Sequence, residues 1–238
     1  MLENKIWTQA VNAVRDVNGD AEELASLVRE NPWLPKHWGP FDKEVAGRDQ
    51  EDTTLLMVAA WEDCGDAAAF LAPISDVRAL DAQGESAIFY AVLCKNDQER
   101  QKMVEALARY ADLGARSRYR LNKSAAMVSV ERKQSATARF LLSQMTSEQM
   151  ERQCGRGANI WHYICRFWSA ELSWIDMIEQ KPGAALLLDV EDSEGATPRN
   201  LASKRGDEFG ARLLAKAEAM EMNAMIGEAA SVKNRPRL

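Results

Sequence analysis

A short turn-and-helix pattern recurs five times along this chain of 238 residues, and it constrains the fold more than any other feature. Its clearest form is DSEGATPRNLA, residues 192–202, in which a Gly and the pair Thr197-Pro198 lead into a helical pattern. Each copy carries, at the position of Thr197, a short side chain that can accept a hydrogen bond at a helix start. These positions are Thr54, Ser86, Ser124, Asn159 and Thr197, which lie 32, 38, 35 and 38 residues apart.

Each copy of the turn is followed by two helical segments with a short break between them. The second segments include DAAAFLAPI, SATARFLLSQM and FGARLLAKAEA, in which apolar residues recur at spacings of three and four, as an amphipathic helix requires. The repeating unit is therefore a turn, a helix, a short loop and a second helix over about 33 residues. One such unit cannot bury its apolar face alone, so the predicted core lies between neighbouring units.

This repeat resembles the ankyrin repeat. Thr197-Pro198 matches the family's Thr-Pro pair, and His162 matches its histidine. Ala59-Ala60 matches its alanine pair, and Gly65-Asp66 and Gly206-Asp207 match the Gly-Asp break between the two helices.

The resemblance implies an all-α fold, an ankyrin-repeat solenoid of five to six helix-turn-helix repeats with helical caps. We expect residues 1–48 to hold an N-terminal capping repeat and a Pro/Trp-rich loop, residues 49–220 the ankyrin repeats, and residues 221–238 a C-terminal cap and tail. We also expect Thr197 to cap its helix and Pro198 to occupy the first helical turn, where the missing N–H of proline costs nothing.

The stretch NPWLPKHWGPF, residues 31–41, differs from the rest of the chain because its three prolines exclude a helix interior. We expect a long loop that Trp33 and Trp38 hold against the first repeats, since exposed tryptophan pairs are unfavourable unless they are covered. The alternative is a finger that contacts a partner.

Composition argues against several classes of function. The net charge of −6 argues against a general nucleic-acid binder. No apolar run is long enough to span a bilayer, and the N-terminus MLENKIWTQAV lacks the apolar core of a secretory signal. The four scattered cysteines predict reduced thiols. We therefore expect a cytoplasmic protein with neither nucleic-acid nor membrane partners.

The sequence offers no catalytic or cofactor-binding constellation. It contains no Gly-rich phosphate loop, no His-Glu-x-x-His helix and no Gly-x-Ser-x-Gly elbow. The spacing of Cys154, His162 and Cys165 matches no closed four-ligand zinc site. The resemblance instead gives His162 a structural role, with its imidazole bonded to the backbone of the neighbouring turn. We expect no cofactor, no metal and no catalysis, and enzyme activity stays as an alternative.

The resemblance also implies that the turn tips and the first helices of the repeats bind a partner. Charge on this surface changes from acidic in the early turns to basic in the later ones, with seven Lys or Arg against one acid in residues 116–139. Three aromatic residues lie on it, and tryptophan and arginine dominate interface hot spots. The predicted partner-binding residues are Glu51, Trp61, Glu62, Glu85, Arg120, Lys123, Arg132, Arg156, Arg166, Phe167, Trp168 and Lys204.

These features predict a non-catalytic protein-interaction module, a monomer when free, that binds a protein with an acidic patch. Compact ankyrin chains of this kind resemble immunity proteins, which neutralise a cognate bacterial toxin. The alternative is a secreted effector or regulatory adaptor that binds a host or cellular protein.

Overall fold

The structure is a computed structural model that describes residues 2–16, 22–41, 51–167, 175 and 184–233. The chain divides into two compact units, Met1–Ser129 with Ser135–Gln144, and Val130–Gln134 with Met145–Leu238. We call them unit 1 and unit 2. Helices dominate the described residues of both units, as the sequence predicts.

Unit 1 consists mainly of short helices in consecutive pairs. Three pairs lie wholly in this unit, and their first helices are α1 (Leu2–Arg15), α3 (Leu55–Trp61) and α5 (Ala87–Leu93). Their second helices are α2 (Glu22–Glu30), α4 (Gly65–Leu71) and α6 (Asp97–Ala108). Helix α7 (Ala125–Glu131) begins in unit 1 and ends in unit 2. A further second helix of unit 1, α8 (Ser135–Gln144), follows α7.

The core of unit 1 lies between neighbouring helix pairs, as the repeat requires. Helix α3 packs against both α1 and α5, and α6 packs against both α4 and α8. Leu56 and Phe89, which the apolar periodicity places in this core, are 0% and 1% exposed. Burial of one such side chain stabilises the fold by about 1.5–3 kcal/mol.

Unit 2 continues the same pairing. It contains α9 (Ser147–Glu151), α10 (Ile160–Phe167), a 3-10 helix (Ala184–Asp189), α11 (Pro198–Arg205) and α12 (Glu208–Lys233). Helix α11 packs against both α10 and α12. Leu188, Phe209 and Leu213 are fully buried or nearly so and form part of the core of this unit.

The helix starts follow the predicted caps at four of the five equivalent positions. There the side-chain oxygen accepts a hydrogen bond of 3.0–3.3 Å from a backbone N–H of the first turn, which contributes about 1 kcal/mol per cap. These four residues are Thr54, Ser124, Asn159 and Thr197. Ser86 also precedes its helix, but its side chain makes no cap hydrogen bond. Pro198 occupies the first turn of α11, as predicted.

The Pro/Trp-rich stretch forms regular elements that the sequence did not predict. Leu34–Lys36 is a 3-10 helix, and β1 (Trp38–Phe41) pairs antiparallel with β2 (Glu51–Thr54). Within the described residues these are the only two strands, so they add a small ribbon to an otherwise helical fold.

A side chain from α1 holds this stretch in place. The indole Nε1 of Trp7 donates a hydrogen bond to the carbonyl oxygen of Pro40 at 2.9 Å, and Phe41 is 3% exposed. A Cβ at Gly39 would overlap the Trp7 ring, so only glycine fits there. Trp38 is 39% exposed, so the prediction that it is covered was wrong.

The loop between the first and second helices places one residue in the left-handed region in three repeats. Asp63, Lys133 and Gly206 each lie nine residues after a cap and have φ of 58°, 59° and 65°. Gly65 has a different position, because it is the first residue of α4. The sequence match that equated Gly65 with Gly206 was therefore wrong by two residues.

We expect Lys133→Gly to raise the free energy of unfolding by about 0.5–1 kcal/mol, because glycine adopts a positive φ without steric cost. Gly206→Ala is the matched opposite change: no atom lies within 4 Å of the added Cβ, so backbone strain alone should cost about 1 kcal/mol. Urea midpoints measure both. Equal shifts of the two urea midpoints in the same direction would contradict the assignment of Lys133 and Gly206 to equivalent positions of the repeat.

Candidate partner-binding surface

The turns that precede the first helices are built around one acceptor side chain. Asp81 Oδ1 accepts hydrogen bonds from the backbone N–H groups of Gln83 and Glu85 at 3.0 and 2.8 Å. Asp192 Oδ1 accepts from the residues two and four positions later, at 2.9 and 3.0 Å. In each of these turns the carboxylate therefore forms hydrogen bonds within the turn itself.

Cys154 takes the place of this aspartate in a third turn. Its backbone N–H donates to the carbonyl oxygen of Ala158, the pairing also seen between Asp192 and Ala196, and its Sγ accepts from the N–H of Arg156 at 3.4 Å. Tyr163, nine residues later, donates from its hydroxyl to Cys154 Sγ, just as Tyr90 donates to Asp81 Oδ2. This role of Cys154 was not predicted from the sequence. The tyrosine nine residues later is the sequence signal for it, because Tyr90 follows Asp81 at the same spacing.

Arg166 lies beside the turn of unit 2 and neutralises its buried carboxylate. Its guanidinium is 2.5 Å from Asp192 Oδ2, and the Asp192 side chain is 2% exposed. Burial raises the pKa of Asp192, but the amides of Ala196 and Glu194 and the Arg166 guanidinium outweigh it, so the pKa lies below its ordinary value. Arg166 therefore has a structural partner within its own unit.

The turn before α7 is two residues longer than the turns before α5, α10 and α11. Ser117 lies seven positions before the helix cap Ser124, whereas Asp81, Cys154 and Asp192 lie five positions before their caps. We call residues 117–123 the long turn. It is closed by a hydrogen bond of 3.0 Å from the N–H of Ser117 to the carbonyl oxygen of Lys123.

The long turn carries exposed apolar side chains that the sequence reasoning missed. Tyr119 is 62% exposed and Leu121 is 50% exposed. Arg118 beside them is also exposed, and the Arg120 guanidinium lies 5.8 Å from the centre of the Tyr119 ring. The sequence signal for this feature is the seven-position spacing between Ser117 and the cap Ser124.

Glu85 does not lie where the sequence placed it. It was predicted to contact a partner, but it is 0% exposed, because the long turn covers it. Its Oε1 accepts hydrogen bonds from Ser117 Oγ at 2.8 Å and from Arg120 Nε at 2.7 Å. Glu85 thus fixes the long turn from below and has no surface to offer a partner.

Trp61 lines a cleft at the ends of α3 and α5. Its ring meets that of Tyr90 edge to face, with centroids 5.5 Å apart. The cleft has a volume of about 330 Å³ and is lined by Trp61, Asp63, Tyr90, Leu93, Cys94 and Lys95. Glu62, the next predicted residue, is only partly exposed and forms an ion pair of 2.9 Å with Arg15 of α1.

The remaining predicted residues divide between the two units. Lys123 closes the long turn in unit 1, and the structure gives for Glu51 only its backbone, paired with Phe41 across the ribbon. Trp168 lies outside the described residues. In unit 2 Phe167 is partly buried beside Tyr163, whereas three basic side chains are exposed: Arg132, Arg156 and Lys204.

The geometry of these turns and helices has counterparts among solved structures. An ankyrin-repeat domain from Acinetobacter baumannii is 20% identical, with 91% of this chain and 97% of that chain covered at a TM-score of 0.59. The ankyrin-repeat domain of Bcl-3, a member of the IkappaB family, is 20% identical, with 88% and 85% covered at 0.61. This chain has the ankyrin-repeat fold.

A third structure links the ankyrin-repeat fold to a complex. A chain in the complex of a predatory endopeptidase from Bdellovibrio bacteriovorus with an immunity protein is 18% identical, with 87% of this chain and 97% of that chain covered at a TM-score of 0.57. No protein-family model matches the sequence, and no curated protein matches it. Within the described residues, no helix has both the length and the apolar character needed to cross a membrane.

His162 has the structural role expected of the ankyrin histidine. Its Nδ1 accepts from the N–H of Asn159 at 3.1 Å, so Nε2 carries the proton and donates to the carbonyl oxygen of Ala196 in the next turn at 2.9 Å. The side chain is fully buried, and burial lowers the pKa of His162 below its ordinary value. Both ring nitrogens are therefore used within the ankyrin fold.

Three thiols of this chain, those of Cys64, Cys94 and Cys165, are poor nucleophiles. Burial raises the pKa of Cys64 to about 11 and the pKa values of Cys94 and Cys165 to about 12. A thiol must lose its proton to attack a substrate or bind a metal. Within the described residues, no group of three or more His, Cys, Asp or Glu side chains is placed to hold a metal ion.

We expect the stability of the parent to fall more steeply with acidification than that of His162→Gln. The folded state holds His162 neutral, so below the unfolded pKa of about 6.5 the unfolded state binds the extra proton. This stabilisation is complete above that pH and lost as the pH falls below it. Between pH 7.5 and 5.5 the parent should lose about 1 kcal/mol more than the variant in urea unfolding. Parallel pH profiles would show that His162 does not titrate as the geometry implies.

Proposed function

We propose that this ankyrin-repeat protein binds a specific protein partner through its turns and first helices and has no catalytic role. The observation that carries the proposal is Trp61, a partly exposed aromatic ring over an open cleft at the end of a first helix. Aromatic side chains at the mouth of a cleft are typical anchors of protein interfaces. The fold supports the same surface, because stacked repeats usually bind along their turns and first helices.

Exposed cations on the turns and at the ends of the first helices favour a partner with an acidic patch. Arg118 is exposed on the long turn of unit 1, and Arg132, Arg156 and Lys204 are exposed in unit 2. These cations belong to a chain whose net charge is −6, so they form local basic regions rather than part of a uniform basic surface. Opposite charge on a partner would speed association and orient the encounter.

We further propose that the partner is a bacterial toxin, that this protein neutralises it by binding, and that it is a monomer when free. The fold likeness to a chain in the endopeptidase–immunity protein complex supports this choice. The alternative is an effector or adaptor that binds a host or cellular protein, and the ankyrin-repeat domain of Bcl-3 is similarly close in fold. To distinguish the two, the partner is copurified from the native cell and its activity is measured. A toxin partner should lose its activity when one equivalent of this protein is added.

We expect Trp61→Ala to weaken binding of the copurified partner by more than about 2 kcal/mol, mainly through faster dissociation. Surface plasmon resonance with variants checked for folding by circular dichroism gives both rates. Trp38→Ala is the matched control, because it removes an exposed tryptophan from β1 of the same unit. Loss of binding in Trp38→Ala alone would move the site to the Pro/Trp-rich stretch.

We expect the double reversal Arg132→Glu with Arg156→Glu to slow association several-fold at low salt, with a smaller effect at high salt because ions screen exposed charges. The control is Arg139→Glu with Arg212→Glu, which changes the net charge equally at exposed positions on second helices. Stopped-flow or plasmon-resonance association rates provide the measurement. Equal slowing in both pairs would mean that only the net charge matters and that no acidic patch faces these turns.

A further inference from the structure

We infer that the long turn is an apolar plug, which inserts Tyr119 and Leu121 into a pocket of the partner protein whose rim carries a carboxylate. The inference rests on the proposed function and names the chemistry of the partner's contact. Both side chains are at least half exposed on a single tight turn. Apolar side chains concentrated in this way on a surface mark an interaction site.

The backbone of Leu121 favours a binding role over a structural one. Leu121 and Asn122 have φ of 54° and 55°, which is the left-handed region. Asparagine adopts this conformation readily, but a leucine there is a genuine outlier that costs stability. A turn shaped for stability alone would hold Gly or Asn at position 121. Strained residues that persist are concentrated at functional sites, and here the strained residue also has an exposed apolar side chain.

The long turn is held rigidly enough to act as a plug. Glu85, fully buried, accepts hydrogen bonds from Ser117 Oγ and Arg120 Nε. The carbonyl oxygen of Gln83 in the preceding turn accepts from the N–H groups of Arg118 and Tyr119 at 3.1 and 3.4 Å. The backbone of the tip is therefore ordered before binding, which lowers the entropy lost on association.

The charges around the tip define the rim of the pocket it fits. Residues 116–123 contain four Lys or Arg and no Asp or Glu. Arg120 is already paired with Glu85, and Arg116 Nη1 contacts Met127 Sδ at 3.5 Å. The guanidinium of Arg118 is exposed beside Tyr119, which matches a carboxylate at the mouth of a pocket.

A nucleic acid or an anionic membrane fits these charges less well. Both present many phosphates, and proteins that bind them through charge engage several phosphates at once. Among the cations of the tip only Arg118 is exposed, in a chain of net charge −6, whereas the tip offers two exposed apolar side chains for burial. The partner is therefore a protein with an apolar pocket and an acidic rim.

The decisive variant is Leu121→Asn. It removes the apolar side chain but places a residue that tolerates the left-handed backbone, so the urea midpoint should rise or stay unchanged while binding weakens. Tyr119→Ala removes the second contact. Tyr110→Ala is the matched control, because it removes a tyrosine that is 43% exposed in the same unit but outside the long turn.

The partner is first captured with a photo-crosslinking benzophenone amino acid at position 119, with positions 61 and 110 in parallel, and is identified by mass spectrometry. We expect position 119 to crosslink to a peptide that contains or adjoins Asp or Glu. With the purified partner, Leu121→Asn and Tyr119→Ala should each raise Kd at least tenfold, whereas Tyr110→Ala should stay within twofold.

Three results would overturn the plug. Parent-like Kd values for Leu121→Asn and Tyr119→Ala, with binding lost in Trp61→Ala, would reject the plug and leave the proposed function standing. Absence of a crosslinked protein from both 119 and 61 would reject both. Binding to phosphatidylserine vesicles or single-stranded DNA that Tyr119→Ala abolishes would assign the tip to phosphate-bearing partners instead.

Discussion

One helix pair of this protein cannot bury its own apolar face, and the rest of the structure follows from that constraint. Helix α3 is buried along almost its whole length because α1 and α5 cover it from both sides. Most residues of α3 are therefore packed in the core. Its last turn is the exception, because Trp61 there reaches the surface. The turns between repeats and the ends of the first helices are the places where this fold can present variable side chains.

The helices and their starts could be predicted from sequence because they depend on local chemistry. A short acceptor side chain before an apolar stripe defines a cap wherever the stripe is packed, and Thr54, Ser124 and Thr197 behave in that way. The ribbon of β1 and β2 could not be predicted, because it depends on Trp7, which lies 33 residues before its hydrogen-bond partner Pro40. No local pattern records such a contact.

The exposure of the candidate binding residues could be predicted only where it does not depend on a neighbouring turn. Trp61 lies beside an open cleft, as its position at the end of a first helix implies. Glu85 was misplaced because its burial depends on the length of the next turn, and only a turn that is two residues longer can fold over it. The same two residues bring Tyr119 and Leu121 to the surface. One insertion therefore removes an acid from the surface and adds two apolar side chains to it.

Departures from the repeat have different meanings, and geometry distinguishes them. Cys154 departs in chemistry from Asp81 and Asp192, yet its Sγ also accepts from the amide two residues later and from the hydroxyl of the tyrosine nine residues later, so the turn keeps its shape. The long turn departs in length, and the backbone responds with two consecutive left-handed residues. A change that preserves the hydrogen bonds of the repeat preserves its role as scaffold. A change that costs backbone strain while exposing apolar side chains lowers stability, and the proposed recognition of a partner by the long turn would account for it.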